Sequence, residues 1–360
     1  MRRGPARTSA QRGRPFFIFG SGRSGTSLLS RMLNQHPHLA VPPESHLYST
    51  FHPWLGWYGS LALPQNRAHL VADMLASGPL RDWSPRLRPE EVLPRIDGDG
   101  FAAVVDAVMH AWAAKQGKRR WGEKTPRHLR NWREISGDFA ASPVIHVVRD
   151  GRDVAVSMIK ARFGPKSVYA CARAWKEDLD QIEELENHQS PSLFYQISYE
   201  EILQDSEQAL KKICNFLGEE YAPEMLSYHC NTLPYPTDAR NQQNLAKPVM
   251  VENKEKWRHE MTRDDVRVFE AVAGDALARY GYARAIEEPA LTKGEEAYRR
   301  YVEAPWRRSL GRLKDRKGQG ERLILVGLLS RRVGQAAVRR LVGGASASGR
   351  LRLGLKDSAK

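Results

Sequence analysis

A short apolar run that breaks straight into glycine constrains this chain more than any other feature. Phe16 to Phe19, bounded by Pro15 and Gly20, reads as a buried strand. It runs into Gly20-Ser21-Gly22-Arg23-Ser24-Gly25-Thr26-Ser27, after which Leu28, Leu29, Met32 and Leu33 recur at helical spacing over 24–35. Strand, glycine loop and helix in this order form a cradle for phosphate. The glycines let backbone N–H groups converge on one anion, and the helix N-terminus adds roughly half a positive charge. Ser24, Thr26 and Ser27 can donate hydroxyl hydrogen bonds to the same oxygens. Gly20 and Gly25 have the spacing of a nucleoside-triphosphate loop, but the expected lysine is Thr26, and Arg23 offers a cation at another place. A glycine turn before a helix also has a plain reading as a turn; its position after a strand weighs against that.

The rest of the chain repeats the alternation. Val144 to Val148 and Leu193 to Tyr199 read as further strands, and Leu39 to Val41 as a short extended piece ending at Pro42-Pro43. Helices are expected over Phe101 to Ala114, Val154 to Ala161, 168–187, Ser206 to Leu217 and 262–280. Residues 46–100, rich in Trp, Pro and His, are expected as helices and loops. Strands alternating with helices predict an α/β fold of three layers, with a central parallel sheet covered by helices on both faces.

Charge divides the chain into three parts. The formal net charge is +14, yet residues 16–284 carry 33 Lys and Arg against 34 Asp and Glu. The basic excess lies in a flexible arm, 1–14, and in an extension, 285–360, with 18 Lys and Arg against 8 Asp and Glu. A neutral core argues against nucleic-acid binding as the main function and leaves a local anion site to be found inside it. The domain is therefore expected over 15–284. The extension reads as partly helical. Residues 321–342 can form an amphipathic helix with Arg331, Arg332, Arg339 and Arg340 on its polar side, able to touch an anionic membrane but read first as solvated, and Gly343 to Lys360 reads as disordered. No apolar run reaches membrane-spanning length, and the basic N-terminus lacks the apolar stretch of a secretory signal. Three cysteines, Cys171, Cys214 and Cys230, fit a reducing compartment and a structural role. A cytoplasmic protein, at most peripheral at a membrane, is the expectation.

A second anion element follows the strand Val144 to Val148. Arg149 stands at its C-terminal end, where open α/β sheets place ligands, within Arg149-Asp150-Gly151-Arg152-Asp153, and Ser157 lies about two helical turns on. A guanidinium and a hydroxyl converging there can hold a second phosphate, and Asp150 or Asp153 can cap the helix. A surface salt-bridge cluster is the competing reading.

With these two elements in order, the chain resembles the sulfotransferases that use 3′-phosphoadenosine 5′-phosphosulfate. Arg-Ser-Gly-Thr-Ser at 23–27, with Gly22 before it, is similar to the family's 5′-phosphosulfate loop, and Val-Val-Arg-Asp-Gly-Arg-Asp-Val-Ala-Val-Ser at 147–157 to its 3′-phosphate element. The resemblance implies that Arg149 and Ser157 grip the 3′-phosphate. Pro-Glu-Ser-His-Leu-Tyr at 43–48 sits where the protein-tyrosine and glycan branches carry a catalytic glutamate, which implies Glu44 as base, with His46 the nearest histidine alternative. Gly-Glu-Lys-Thr-Pro at 122–126 implies an active-site role for Lys124. Ile-Ser-Tyr-Glu-Glu-Ile at 197–202 implies Tyr199 near the nucleotide, and Asn253-Lys254-Glu255-Lys256-Trp257 implies a late loop over it with Lys256 and Trp257.

The expected chemistry is sulfuryl transfer to a hydroxyl. Glu44 takes the acceptor proton, with a pKa raised by partial burial, and Lys124 with Arg23 stabilises the departing nucleotide. Sulfuryl carries less charge than phosphoryl, so no divalent metal is required in principle. His36, His38 and His69 show no metal-ligand spacing. Aromatic residues at 47–58 suit either an acceptor wall or core packing. Two rivals make different demands: a magnesium-dependent P-loop kinase or NTPase, and a non-catalytic nucleotide-fold scaffold docked by its basic tail.

Overall fold

A computed structural model describes residues 13–230 and 243–303. Residues 1–12 of the arm expected over 1–14, the expected helix over 321–342 and the terminal stretch Gly343 to Lys360 lie outside the described residues. Five parallel strands form one sheet: β1 (Phe16–Phe19), β2 (Leu39–Ala40), β3 (Arg120–Glu123), β4 (Val144–Val148) and β5 (Phe194–Ser198), in the spatial order β2-β3-β1-β4-β5. Phe17 pairs with Glu123 on one side and Val144 on the other, and β5 pairs with β4 along its length, from Val144 with Phe194 to Val148 with Ser198. The helices that position the site are α1 (Thr26–Gln35), α2 (Phe101–Lys115), α3 (Gly151–Lys160), α4 (Val168–His188), α5 (Tyr199–Gln204), α6 (Ser206–Leu217) and α7 (Arg263–Arg279).

Alternation along β1 builds the two cores. Phe17 and Phe19 join Trp121, Val144 and the apolar side of α2 in one cluster; Phe16 and Ile18 join α1, Ile145, Val147 and α6 in the other. A third cluster, with Trp175, Val268 and Phe269, closes α4 against α7 over the end of β4. Cys171 and Cys214 are buried on α4 and α6. The caps follow local chemistry. Asp150 accepts the Arg152 N–H at the start of α3, Asp205 that of Gln208 at the start of α6, and Thr262 with Asp265 forms a capping box on α7. Among the described residues no helix is long and apolar enough to cross a membrane.

Strand β3 is a strand that sequence patterning did not disclose, and Tyr199, expected at the end of a strand, instead begins α5. Arg-Trp-Gly-Glu is no apolar run, yet all four residues are buried. The Arg120 guanidinium donates to the Leu217 carbonyl at 2.6 Å and pairs with Glu219 at 3.3 Å. Gly122 is required because a Cβ there would stand 2.3 Å from the Phe16 ring. Within 47–58, Tyr48, Phe51 and Tyr58 belong to the core, which favours packing over an acceptor wall for those three; Trp54 is exposed.

Candidate active site

Parallel strands put all their C-terminal ends on one edge of the sheet. The chain leaves β1 toward β2 on one side and β4 toward β5 on the other, so a crevice opens between the ends of β1 and β4. The loop Gly20–Gly25 lines it, with Gly25 at φ 92° as the residue preceding α1. Gly20 passes too close to β4 to carry a side chain: a Cβ would stand 2.5 Å from the Val147 carbonyl oxygen.

The structure brings the two anion elements into contact. Arg23 donates from Nε to Ser157 Oγ at 3.0 Å, and Arg149 donates from Nη1 to the Arg23 carbonyl at 3.2 Å. The Arg149 guanidinium lies 4.4 Å over the Tyr199 ring, whose hydroxyl accepts from Asn253 Nδ2 at 2.6 Å. Arg149 also donates from Nη2 to Asp153 Oδ2 at 3.2 Å and to the Asn253 carbonyl at 2.9 Å. Ser24 Oγ and Arg149 Nε are buried with no hydrogen-bond partner among the described residues. Buried donors of this kind suit an anion with several acceptor oxygens.

The cation absent from the glycine loop comes from the end of β3. Lys124, 1% exposed, donates from Nζ to Ser27 Oγ at 3.0 Å and to Glu44 Oε1 at 2.6 Å. The other carboxylate oxygen of Glu44 stands 3.4 Å from His46 Nε2. Burial pushes the Glu44 carboxyl up, as expected from the sequence. The Lys124 charge and the His46 contact outweigh it, so the pKa lies well below the usual carboxylate range and Glu44 is ionised. The expected raised pKa is thereby corrected: the glutamate rests against a lysine and not in an apolar pocket. Arg23 is lowered first by burial and then by the Arg149 charge, and so is Lys256. Arg149 thus adds positive charge near both Arg23 and Lys256.

Each residue singled out from the sequence has a definite place. Gly22 and Thr26 lie in the loop and first helical turn, with Thr26 buried against Gly20. Ser27, Glu44 and Lys124 meet on one side, and Arg23, Arg149, Ser157 and Tyr199 on the other. Trp257 sits deeper than a loop covering a ligand: it packs on Val156 and Val266, with Arg152 3.7 Å over its ring. The backbone N–H of Trp257 donates to Asp153 Oδ1 at 2.9 Å. Asp153, read from the sequence only as a possible cap, is thus the joint between Arg149 and the 253–257 segment; no local pattern marks it. The non-glycine residues with left-handed backbone among those described are Arg23, His46 and Glu255, each in or beside this site.

Folding also gathers His36, His38 and Glu219, whose ligand atoms lie within 4.8 Å of one another, a proximity that chain spacing concealed. His36 accepts the His38 N–H on Nδ1 and bonds the Glu220 carbonyl through Nε2, while Glu219 pairs with Arg119 and Arg120. These atoms are committed to protein partners, at the end of α1 away from the glycine loop.

Comparison with known proteins agrees with this architecture. The model of the Sulfotransferase family matches residues 15–223. Nodulation protein NoeE of Sinorhizobium fredii is 24% identical over 340 residues, covering 85% of this chain and 74% of that protein. Protein-tyrosine sulfotransferase 2 of Gallus gallus is 26% identical over 284 residues, covering 74% and 68%. Among solved structures, the sulfotransferase domain from the curacin biosynthetic pathway superposes with a TM-score of 0.52 at 18% identity, covering 76% of this chain and 98% of that one. A family match across more than half of the chain, over the same strand–loop–helix core that carries Arg23, Lys124 and Arg149, places this protein in the sulfotransferase family.

Proposed function

We propose that the protein transfers the sulfuryl group of 3′-phosphoadenosine 5′-phosphosulfate to an acceptor hydroxyl, with Glu44 as general base. One observation carries the reading: the glycine loop touches both halves of the machinery, Ser27 through Lys124 to Glu44, and Arg23 to Ser157 and Arg149. A nucleotide with phosphorylated 3′ and 5′ positions needs two separate cationic grips, and these are adjacent. In this reading Gly22, Ser24, Gly25, Thr26 and Ser27 hold the 5′-phosphosulfate. Arg149 and Ser157 hold the 3′-phosphate, Tyr199 flanks the nucleotide, and Lys256 adds charge from the segment that Trp257 anchors. The relative whose name specifies protein tyrosine supports a hydroxyl as the acceptor group.

In the reaction the acceptor oxygen forms a bond to sulfur as the bond from sulfur to the bridging phosphate oxygen breaks. The acceptor proton passes to Glu44. Adenosine 3′,5′-bisphosphate departs, with the new charge on its 5′-phosphate facing Lys124 and Arg23. Positioning and electrostatics supply most of the rate, as in phosphoryl transfer.

Calorimetry tests the binding half. Adenosine 3′,5′-bisphosphate binds and ATP with magnesium binds at least about a hundredfold more weakly, a difference of about 2.7 kcal/mol; the reverse preference refutes the reading. Glu44→Gln tests the chemical half. It lowers turnover by about 10²–10⁴-fold with nucleotide affinity retained, and near-normal turnover removes Glu44 from the base role.

A further inference from the structure

The segment that carries Glu44, residues 41–46, has no regular secondary structure, so something outside it must fix the carboxylate. Its hydrogen bonds near Glu44 run to β3 and the residue just beyond Lys124. Ser45 N–H and His46 N–H both donate to Thr125 Oγ1, at 3.0 and 3.4 Å. Thr125 Oγ1 donates to Glu123 Oε1 at 2.6 Å, and Ser45 Oγ donates to the same oxygen at 2.8 Å. The other carboxylate oxygen meets His128 Nδ1 at 2.9 Å. His128 Nε2 accepts the Tyr48 N–H at 3.2 Å, so Nδ1 carries the hydrogen that Glu123 receives. Glu123 is 3% exposed, Thr125 and His128 are 0% exposed, and Ser45 is 1% exposed.

From this arrangement we infer that Glu123 is a positioning residue, whose buried carboxylate locks Ser45 and Thr125 and thereby holds the Glu44 carboxylate against Lys124. The inference deepens the proposed function and rests on it. By receiving the Thr125 hydroxyl hydrogen, Glu123 turns the lone pairs of that oxygen toward the Ser45 and His46 N–H groups. Without it the hydroxyl is free to rotate, and the segment loses the fixed acceptor that Ser45 and His46 share beside Glu44. His46 is held at φ 54°, a left-handed conformation that persists where its surroundings over-determine it. Glu123 is itself fixed, since β3 pairs with β1 at Phe17. Burial pushes its carboxyl up, but His128 and the two hydroxyls reverse the shift and keep it a carboxylate able to accept every one of these bonds.

The test uses the full chain and release of sulfate from 35S-labelled 3′-phosphoadenosine 5′-phosphosulfate, water serving as acceptor. Glu123→Gln lowers turnover by about 10–100-fold, the range for loss of an orienting partner, while the affinity for adenosine 3′,5′-bisphosphate stays within about threefold. In the Glu44→Gln background the same change costs less than about threefold, because the group it positions is already gone. A crystal structure of Glu123→Gln shows the Glu44–Lys124 contact opened. Thr125→Val, which removes the hydroxyl at constant shape, reproduces the loss, and Thr125→Ser recovers most of it; this pair decides the matter if Glu123→Gln does not fold. Unimpaired turnover in Glu123→Gln, effects that multiply in the double variant, or an intact 2.6 Å contact in the variant crystal overturns the inference. Full turnover in Glu44→Gln alone overturns the base reading instead, so the two failures are distinguishable.

Discussion

Gly25→Ala perturbs the site at one atom, and its cost follows from the geometry. Gly25 has φ 92°, where a residue with a Cβ costs about 1–2 kcal/mol. The new Cβ would also stand 2.2 Å from Tyr199 Cδ2. Carbon atoms prefer about 3.5–4.0 Å, so the ring must retreat by about 1.5 Å. Tyr199 is 5% exposed and has little room to do so. Its retreat disturbs the Arg149 stacking, worth about 0.5–2 kcal/mol, and the Asn253 hydrogen bond, worth about 0.5–1.5 kcal/mol. The expected loss of stability is therefore about 2–5 kcal/mol, and nucleotide affinity falls at least about tenfold as Arg149 shifts. Urea unfolding measures the first quantity, and calorimetry with adenosine 3′,5′-bisphosphate the second. Because the clash has a named partner, Tyr199→Ala costs less in the Gly25→Ala background than alone, by at least about 1 kcal/mol. Additivity within about 0.5 kcal/mol would refute the claim that the glycine exists to admit the Tyr199 ring.

Three further substitutions probe other parts of the argument. Lys124→Ala removes the largest charge that holds Glu44 below its ordinary range and leaves burial opposed only by the His46 contact, so the acid limb of the kcat/KM profile moves upward; an acid limb unchanged from the parent protein would mean that the two groups do not interact. Arg152, 2% exposed between Asp150 at 2.7 Å and Glu270 at 2.8 Å, leaves two buried carboxylates without their cation in Arg152→Met, at about 3–5 kcal/mol by urea unfolding; a loss below about 1 kcal/mol would show that the backbone N–H groups that remain suffice to hold them. His146 is 0% exposed on β4, and burial takes its pKa down to about 4. Its contribution is complete above the unfolded value of about 6.5 and is lost as pH falls toward 4, so stability drops by about 2–3 kcal/mol between pH 7 and 4.5, and His146→Leu removes that part of the drop. Parallel pH dependence in the two proteins would contradict the assignment.

The residues that spoke in the sequence were those whose partners lie close along the chain or whose pattern is repetitive. Strands β1 and β4 are apolar runs ending in glycine or charge, and both glycine-loop donors and Arg149 follow them directly. Strand β3 stayed hidden because its burial is satisfied by distant groups: Arg120 by Leu217 and Glu219, and Glu123 by Ser45, 78 positions away, as well as by nearby His128. Asp153 was legible as a possible cap and illegible as a joint, since its partners include Trp257, 104 positions on. Periodicity reports which face is buried and says nothing about which buried charges will find one another.

Lys124 gives the active-site reading its internal logic. In the structure it divides its hydrogen bonds between Ser27 of the glycine loop and the Glu44 carboxylate. Under the proposed function an arriving phosphosulfate competes for the same ammonium group. As Lys124 turns toward the anion, Glu44 keeps its burial and loses part of the charge that lowered its pKa, so its proton affinity rises when there is a proton to accept. Linkage makes the effect reciprocal: whatever donor binding adds to the basicity of Glu44, protonating Glu44 adds to the affinity for the donor. A glutamate resting far below neutrality is thus compatible with a base, because its resting pKa belongs to the lysine-paired state. If the upward shift of the acid limb in Lys124→Ala failed to appear, this coupling would have no physical carrier, and the low resting pKa would stand as an argument against Glu44 as the base.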